Sequence, residues 1–236
     1  MGRVSAGIAH EIRNPLAAIS QANALLAEDA TSGAQRQLTQ LVSDNVERLK
    51  RIVDDVMEVA PGATPPRVSI DATAQVAAVC GEWARTAHLP PGEASPLRAD
   101  LPADPLAVLF DAEHLRRVLV NLLDNALRHG GGTPATILVQ LAVRGEREVV
   151  LSVASAGSAI TAEVERYLFE PFFSTRSRGT GLGLYICREL CERYGASIDY
   201  RARSEHDALR NEFVVMMQRD TEPASAAPES SSLFAS

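Results

Sequence analysis

Apolar residues at Ile8, Ile12, Leu16, Ile19 and Leu26 recur every three to seven positions, the spacing of a single stripe along a helix. A polar, small-residue break over 28–33 follows, as a connection between antiparallel helices requires. Beyond it Leu38, Leu41, Asn45, Leu49, Ile52, Val56 and Val59 step by three or four throughout, a heptad-like seam longer than a typical globular helix carries. Two helices alone cannot bury both seams. The pattern therefore predicts a pair of hairpins closing into a four-helix bundle, a homodimer through residues 1–60. Pro15 lies inside the first helix, where it removes a backbone donor and is expected to bend the chain.

Pro61, Pro65 and Pro66 end the second helix and mark a linker over 61–67, since neither helix nor sheet tolerates that density of proline. A second domain is expected over 68–219. Asp71 to Thr86 reads as a helix with Val76, Val79 and Trp83 inward, Ala107 to Phe110 as a strand, and Asp111 to His129 as a long helix. Thr136 to Arg144 and Glu148 to Val153 alternate in the manner of half-buried strands joined by a turn at 144–147. Helices near Ala162 to Leu168 and Thr180 to Tyr194, then strands near 196–203 and 211–218, complete an α+β sandwich whose mixed or antiparallel sheet is covered on one face by helices. Residues 220–236 are Ala, Ser, Pro and Glu with little to bury, and are expected to form a disordered tail.

Composition narrows the function. The 236 residues suffice for two modest domains, and 46% are hydrophobic. A formal net charge of −7 without any Lys/Arg-rich run argues against nucleic acid as a partner. No stretch approaches the roughly 18 consecutive apolar residues of a membrane span, so no membrane contact is expected from this segment. The three cysteines have no paired spacing, and Cys187 with Cys191 reads as helix packing.

Chemistry concentrates in a few places. His10, Glu11 and Asn14 crowd into five residues; His10 points partly away from the apolar stripe, Glu11 can orient one ring nitrogen, and Asn14 returns to the same face one turn on. On the 111–129 helix Asn121 and Asn125 align opposite the apolar side with Arg128 or His129, and an amide oxygen there suits Mg²⁺ shared with phosphate. An aromatic cluster, Phe169-Glu170-Pro171-Phe172-Phe173, immediately precedes a run ending Gly179-Thr180-Gly181-Leu182-Gly183-Leu184, whose small residues let backbone N–H groups approach an anion at a helix start.

Taken together, Ala6-Gly7-Ile8-Ala9-His10-Glu11-Ile12-Arg13-Asn14-Pro15-Leu16 resembles the phosphoacceptor box of the bacterial two-component sensor histidine kinases. The later segments resemble the N box, F box and second glycine box of their GHKL-type (Bergerat) ATPase domain. The resemblance spans residues 1 to about 218 and is greatest to kinases of the type IV pilus and nitrogen-regulation kind. It implies a dimeric phosphotransfer bundle followed by a two-layer α+β ATP-binding domain. Its roles fall on His10 as the phosphorylated residue, Glu11 as acid/base and Asn14 as a phosphatase amide. ATP contacts fall on Asn121, Asn125, Arg128, His129, Gly157, Phe172, Arg176, Thr180, Gly181, Leu182, Gly183 and Leu184, with Mg²⁺ on Asn125 and residues 174–178 as a lid. ATP and Mg²⁺ are the implied cofactors, and the aspartate of a response regulator receiver domain is the implied phosphoryl acceptor. The nine residues ahead of His10 are too few for a sensor region, so an input domain is expected upstream or on another polypeptide. The segment is then cytoplasmic, or the cytoplasmic portion of a membrane-anchored sensor.

One departure changes the picture. Where the family carries an Asp-x-Gly-x-Gly box whose aspartate accepts from the adenine amino group, this chain reads Ser155-Ala156-Gly157-Ser158-Ala159. A neutral hydroxyl in place of a carboxylate lowers adenine affinity by about 5- to 30-fold. Two functions follow: an active, weak-binding autokinase, or a degenerate ATPase domain on a phosphotransfer, phosphatase or scaffold protein.

Overall fold

The computed structural model describes residues 2–59, 67–130, 133–174, 180–204 and 206–221, with side chains from Glu11 to Met57 in the first two helices. Helices α1 (Gly2–Glu28) and α2 (Gly33–Val59) form an antiparallel hairpin. Helix α1 continues through Pro15. Asn23 is buried between the helices, and its amide donates to the Thr39 carbonyl at 2.8 Å and to Ser43 Oγ at 2.9 Å. Satisfying both N–H groups of a buried amide at one place fixes the register of the pair. Arg13 donates to one Asp54 carboxylate oxygen from Nε at 3.0 Å and Nη2 at 2.7 Å. This exposed pair adds little stability, but it sets the start of α1 beside the last turns of α2.

The stripe expected to be buried is covered only in part within one chain. Leu16 and Val46 are buried, whereas Ile19, Leu26, Leu38 and Leu41 are between 47% and 64% exposed. Both seams therefore remain largely open.

In the second module β2 (Leu97–Asp100), β4 (Ile137–Arg144), β5 (Glu148–Ser155), β7 (Asn211–Gln218) and β6 (Ser197–Ala202) form one sheet in that spatial order. Only β2 with β4 is parallel. A separate antiparallel pair, β1 (Val68–Asp71) with β3 (Ala107–Phe110), is tied to the end of β7 where the Asp220 N–H donates to the Ala107 carbonyl at 2.9 Å. Alternate positions Ile137, Val139, Val149, Leu151, Val153, Phe213, Val215 and Met217 form a continuous core with α3 (Ala72–Thr86), α4 (Ala112–Gly130) and α6 (Gly183–Arg193). Helix α3 starts where Asp71 accepts from the Ala74 N–H, and α4 where Asp111 accepts from the His114 N–H.

Several expected boundaries move. Helix α6 begins at Gly183 rather than Thr180, because Gly181 takes φ +71°, outside the helical region. The helix expected to run to Leu168 is a single turn, α5 (Ala162–Glu165), after which Leu168 and Phe169 turn inward to the core. Strand β5 runs on to Ser155, and β1 and β2 are additional strands. The expected linker lies outside the described residues apart from Arg67, and the expected tail does so beyond Thr221. All three cysteines are buried, with the Cys80 thiol pushed up to about 11 by burial. No described helix is long and apolar enough to cross a membrane.

The hairpin docks on this module. Ile52 packs against its core, the end of α2 lies along α6, and the carboxylate of Asp55, 7% exposed, is paired with Arg117 of α4. Burial pushes the Asp55 carboxyl above its usual range, against the opposing pull of Arg117. Truncating the cation leaves a buried carboxylate without its partner. Arg117→Ala is therefore expected to speed amide exchange over residues 48–57 by about tenfold or more while leaving β4 and β5 protected. Unchanged exchange there would mean that the ion pair does not hold the two units together.

Candidate functional site

Helices α4 and α6 run antiparallel, and three contacts mark their course. His114 Nδ1 lies 2.6 Å from the Tyr194 hydroxyl, the Cys187 thiol is 3.7 Å from the Val118 carbonyl, and Asn121 stands beside Gly183, the first residue of α6. A Cβ on Gly183 would come 3.6 Å from Asn121 Oδ1. The positive end of α6 thus opens onto the asparagine face of α4, where an anion is favoured.

Two further glycines close the site by backbone contact. Gly181, at φ +71°, nests against the aromatic cluster so that a Cβ there would fall 2.5 Å from the Phe172 carbonyl carbon. Gly157, at φ +116°, lies against the end of α4, where a Cβ would fall 2.6 Å from the His129 carbonyl oxygen. The asparagine helix, the segment after β5, the aromatic cluster and the second glycine run are thereby brought together along α4 and the start of α6. An open groove of about 440 Å³ between α3 and residues 89–101 contains none of these groups.

Individual side chains are placed as follows. Asn121 Nδ2 is buried and has no hydrogen-bond partner among the described residues, a cost of about 1–3 kcal/mol unless a ligand or water meets it. Asn125 is half-buried one turn further along. Arg128 is folded back along its own helix, with Nε 3.0 Å from the Asp124 carbonyl and Nη2 3.8 Å from its carboxylate; it reaches a phosphate only by leaving Asp124. The Asp124 carboxylate is held in turn by the Trp83 indole at 2.8 Å. His129 is exposed. Thr180 Oγ1 accepts from the Leu182 N–H at 3.3 Å; Leu182 is 2% exposed and accepts from the Ile186 N–H, while Leu184 is half-buried. Arg176 and the rest of the expected lid from Thr175 lie outside the described residues. No group of three or more His, Cys, Asp or Glu side chains able to hold a metal occurs among the described residues, so a cation here would rely on amide and phosphate oxygens.

Ser155 ends β5 at 5% exposure, opposite Ile137 on one side and Asn211 on the other. Sequence reasoning missed Asn211. Its Oδ1 accepts from the Tyr200 hydroxyl at 2.9 Å and from the Ile160 N–H at 3.3 Å, and its Nδ2 donates to the Ser158 carbonyl at 3.2 Å, holding the backbone that follows Ser155. An amide heading the apolar alternation Phe213, Val215, Met217 was the available signal. The aromatic cluster is anchored by Phe169, edge-on to Phe213 with ring centres 6.3 Å apart, while Phe172 is 66% exposed and sits at φ +63°.

His10 lies on α1, where only the backbone is described; Glu11 and Asn14 are exposed. The Arg13–Asp54 pair puts this end of α1 level with the part of α2 that docks on the second module.

Comparison with known proteins finds two family matches along the chain. Residues 1–62 match the His Kinase A (phospho-acceptor) domain, and residues 110–221 match the histidine kinase-, DNA gyrase B-, and HSP90-like ATPase family. The chain is 39% identical over 215 residues to the sensor protein kinase PilS of Pseudomonas aeruginosa, covering 87% of this chain and 39% of that protein. To the sensor histidine kinase ZraS of Klebsiella oxytoca it is 33% identical, covering 89% and 45%. To the sensory histidine kinase/phosphatase NtrB of Salmonella typhimurium it is 30% identical, covering 85% and 58%. The chain thus spans about two-fifths to three-fifths of these relatives' lengths. Full-length ShkA in complex with AMPPNP superposes with a TM-score of 0.70 at 21% identity, over 95% of this chain and 47% of that one, which shows the shared fold. The two family matches fall on the hairpin that carries His10 and on the module that carries the glycine and asparagine segments, and the chain belongs to the two-component sensor histidine kinases.

Proposed function

We propose that the chain binds Mg-ATP in the α4–α6 cleft, phosphorylates itself on His10 and passes the phosphoryl group to the aspartate of a response regulator receiver domain. The observation that carries this reading is the seating of Asn121, with its buried amide nitrogen unmet, against the glycine that opens α6. Backbone N–H groups at residues 181–184 and the α6 N-terminus favour the phosphates, and Asn121 and Asn125 line the helix beside them. Mg²⁺, held by Asn125 and phosphate oxygens, supplies charge neutralisation when bound. A ring nitrogen of His10 forms the N–P bond as the bridging β,γ P–O bond breaks, and ADP departs. Glu11 accepts the hydrogen bond, and then the proton, of the other ring nitrogen. Asn14, one turn on, is assigned to orienting water for dephosphorylation of the regulator.

Nucleotide and His10 belong to different units joined through 60–66, so the ATP module must swing on the hairpin to bring them together. The open seams at Ile19, Leu26, Leu38 and Leu41 support dimerisation through residues 1–60, since a second hairpin is the element that covers them. We place the chain in the cytoplasm, on its own or as the cytoplasmic portion of a membrane-anchored sensor. Ser155 and Ala159 favour a second reading, a degenerate ATPase domain on a phosphatase or scaffold. Calorimetric titration separates the two. Mg-ATP is expected to bind with a dissociation constant below the millimolar range and to lose affinity when EDTA is added or when Asn125 is replaced by alanine; no heat at millimolar Mg-ATP would leave the second reading standing.

A further inference from the structure

The end of the cleft away from the glycine run has its own chemistry. From Asn121 beside Gly183 to His129 beside Gly157, α4 advances about 12 Å, comparable to the reach of a nucleoside triphosphate from its terminal phosphate to its base. With the phosphates at the α6 N-terminus, the base lies toward the Gly157 end. Three buried polar residues lie toward that end, Thr136 beside Gly130, Ser155 two residues before Gly157, and Asn211 paired with Ser155 across the strands, and all are uncharged. Two are committed. Thr136 Oγ1 donates to the Thr133 carbonyl at 2.8 Å, and the Asn211 amide is occupied by Tyr200, Ile160 and Ser158. Ser155 supplies the rotatable hydroxyl.

We propose that Ser155 makes this site indifferent to the 6-substituent of a purine, so that guanosine triphosphate is accepted alongside adenosine triphosphate. A hydroxyl accepts from the 6-amino group of adenine and, rotated, donates to the 6-oxo group of guanine. A carboxylate at this position would accept from the first and repel the second. Discrimination between bases comes largely from buried polar groups left unpaired by the wrong one, and a reversible donor-acceptor leaves neither unpaired. Asn211 and Tyr200 fix the backbone of 158–160, so that the segment following Ser155 does not depend on a second glycine at 159.

The inference rests on the cleft's holding a nucleoside triphosphate, and titration of the full chain with Mg-ATP and with Mg-GTP tests both while keeping them apart. The two dissociation constants are expected to agree within about fivefold. Ser155→Ala is expected to weaken both by a similar factor of about 3 to 10, and Ser155→Asp to shift the ratio toward ATP by about tenfold or more. An unmodified chain that prefers ATP by more than about 30-fold, or a Ser155→Ala chain with both constants unchanged, overturns the role of Ser155 and leaves the ATP site intact. Binding of neither nucleotide overturns the nucleotide site and this inference with it. Should Ser155→Asp fail to fold with a carboxylate at so buried a position, the unmodified ratio and Ser155→Ala decide the matter alone.

Discussion

His10→Gln is expected to abolish incorporation of label from γ-labelled ATP, by at least about 100-fold, while Mg-ATP affinity stays within about twofold. Glutamine keeps the polarity of the side chain but offers no nucleophilic ring nitrogen, so the N–P bond cannot form. The substitution falls on α1, and the bound nucleotide is to be held by α4, α6 and the segments around Gly157 and Gly181. Binding and transfer therefore separate in one variant. Retained labelling would place the acceptor elsewhere in the chain; full ATP turnover without labelling would make this an ATPase of the gyrase kind that needs no phosphohistidine.

Gly181→Ala has the next largest expected effect, because two penalties coincide. The residue sits at φ +71°, and the added Cβ would meet the Phe172 carbonyl carbon at 2.5 Å with its oxygen and the Phe173 nitrogen at 2.8 Å. Those are backbone atoms, which do not swing aside as a flexible side chain would. The strain is about 1–3 kcal/mol before any displacement of the aromatic cluster, enough to weaken Mg-ATP by about 5- to 150-fold. Gly33→Ala is the matched control. Nothing lies within 4 Å of its Cβ position, and it stands in the first turn of α2, so nucleotide affinity is expected to be unchanged. Equal affinities in the Gly181 and Gly33 variants would show that the 172–181 contact does not shape the site.

Much of this was legible in the residue pattern, for reasons visible in the structure. The long helix α4 and the strands β4, β5 and β7 bury regular stripes, and regular burial leaves regular spacing: Leu115, Leu119, Leu122 and Ala126 on α4, and Phe213, Val215 and Met217 on β7. Strands β1 and β2 were not legible. Each is four residues at the edge of its sheet, too short for the alternation in Val68-Ser69-Ile70-Asp71 or Leu97-Arg98-Ala99-Asp100 to stand out, and Arg98, Ala99 and Asp100 are exposed. Residues 180–182 run straight into the apolar spacing of α6, but the left-handed turn at Gly181, set against the Phe172 backbone, delays the helix to Gly183.

The candidate site divides in the same way. Glycines and asparagines at fixed spacing pointed to the proposed phosphate end, since close backbone approach restricts what residue can stand there. Asn211 escaped because its role depends on pairing across strands, opposite Ser155 and beside Tyr200, a relation between positions 155, 200 and 211 that no local pattern records. Spacing along the helix points Arg128 toward phosphate, whereas its guanidinium rests on Asp124, which also receives the Trp83 indole. Spacing reports the face of a helix and not the neighbour that captures a long side chain.

The most direct test of the central claim is to incubate the unmodified chain with γ-labelled Mg-ATP, locate the label by peptide mapping and measure its stability in acid and in base. A phosphoryl group on the peptide containing His10, lost in acid and stable in base, is the predicted result. Label on a different peptide, or an acid-stable ester on a hydroxyl side chain, would contradict it.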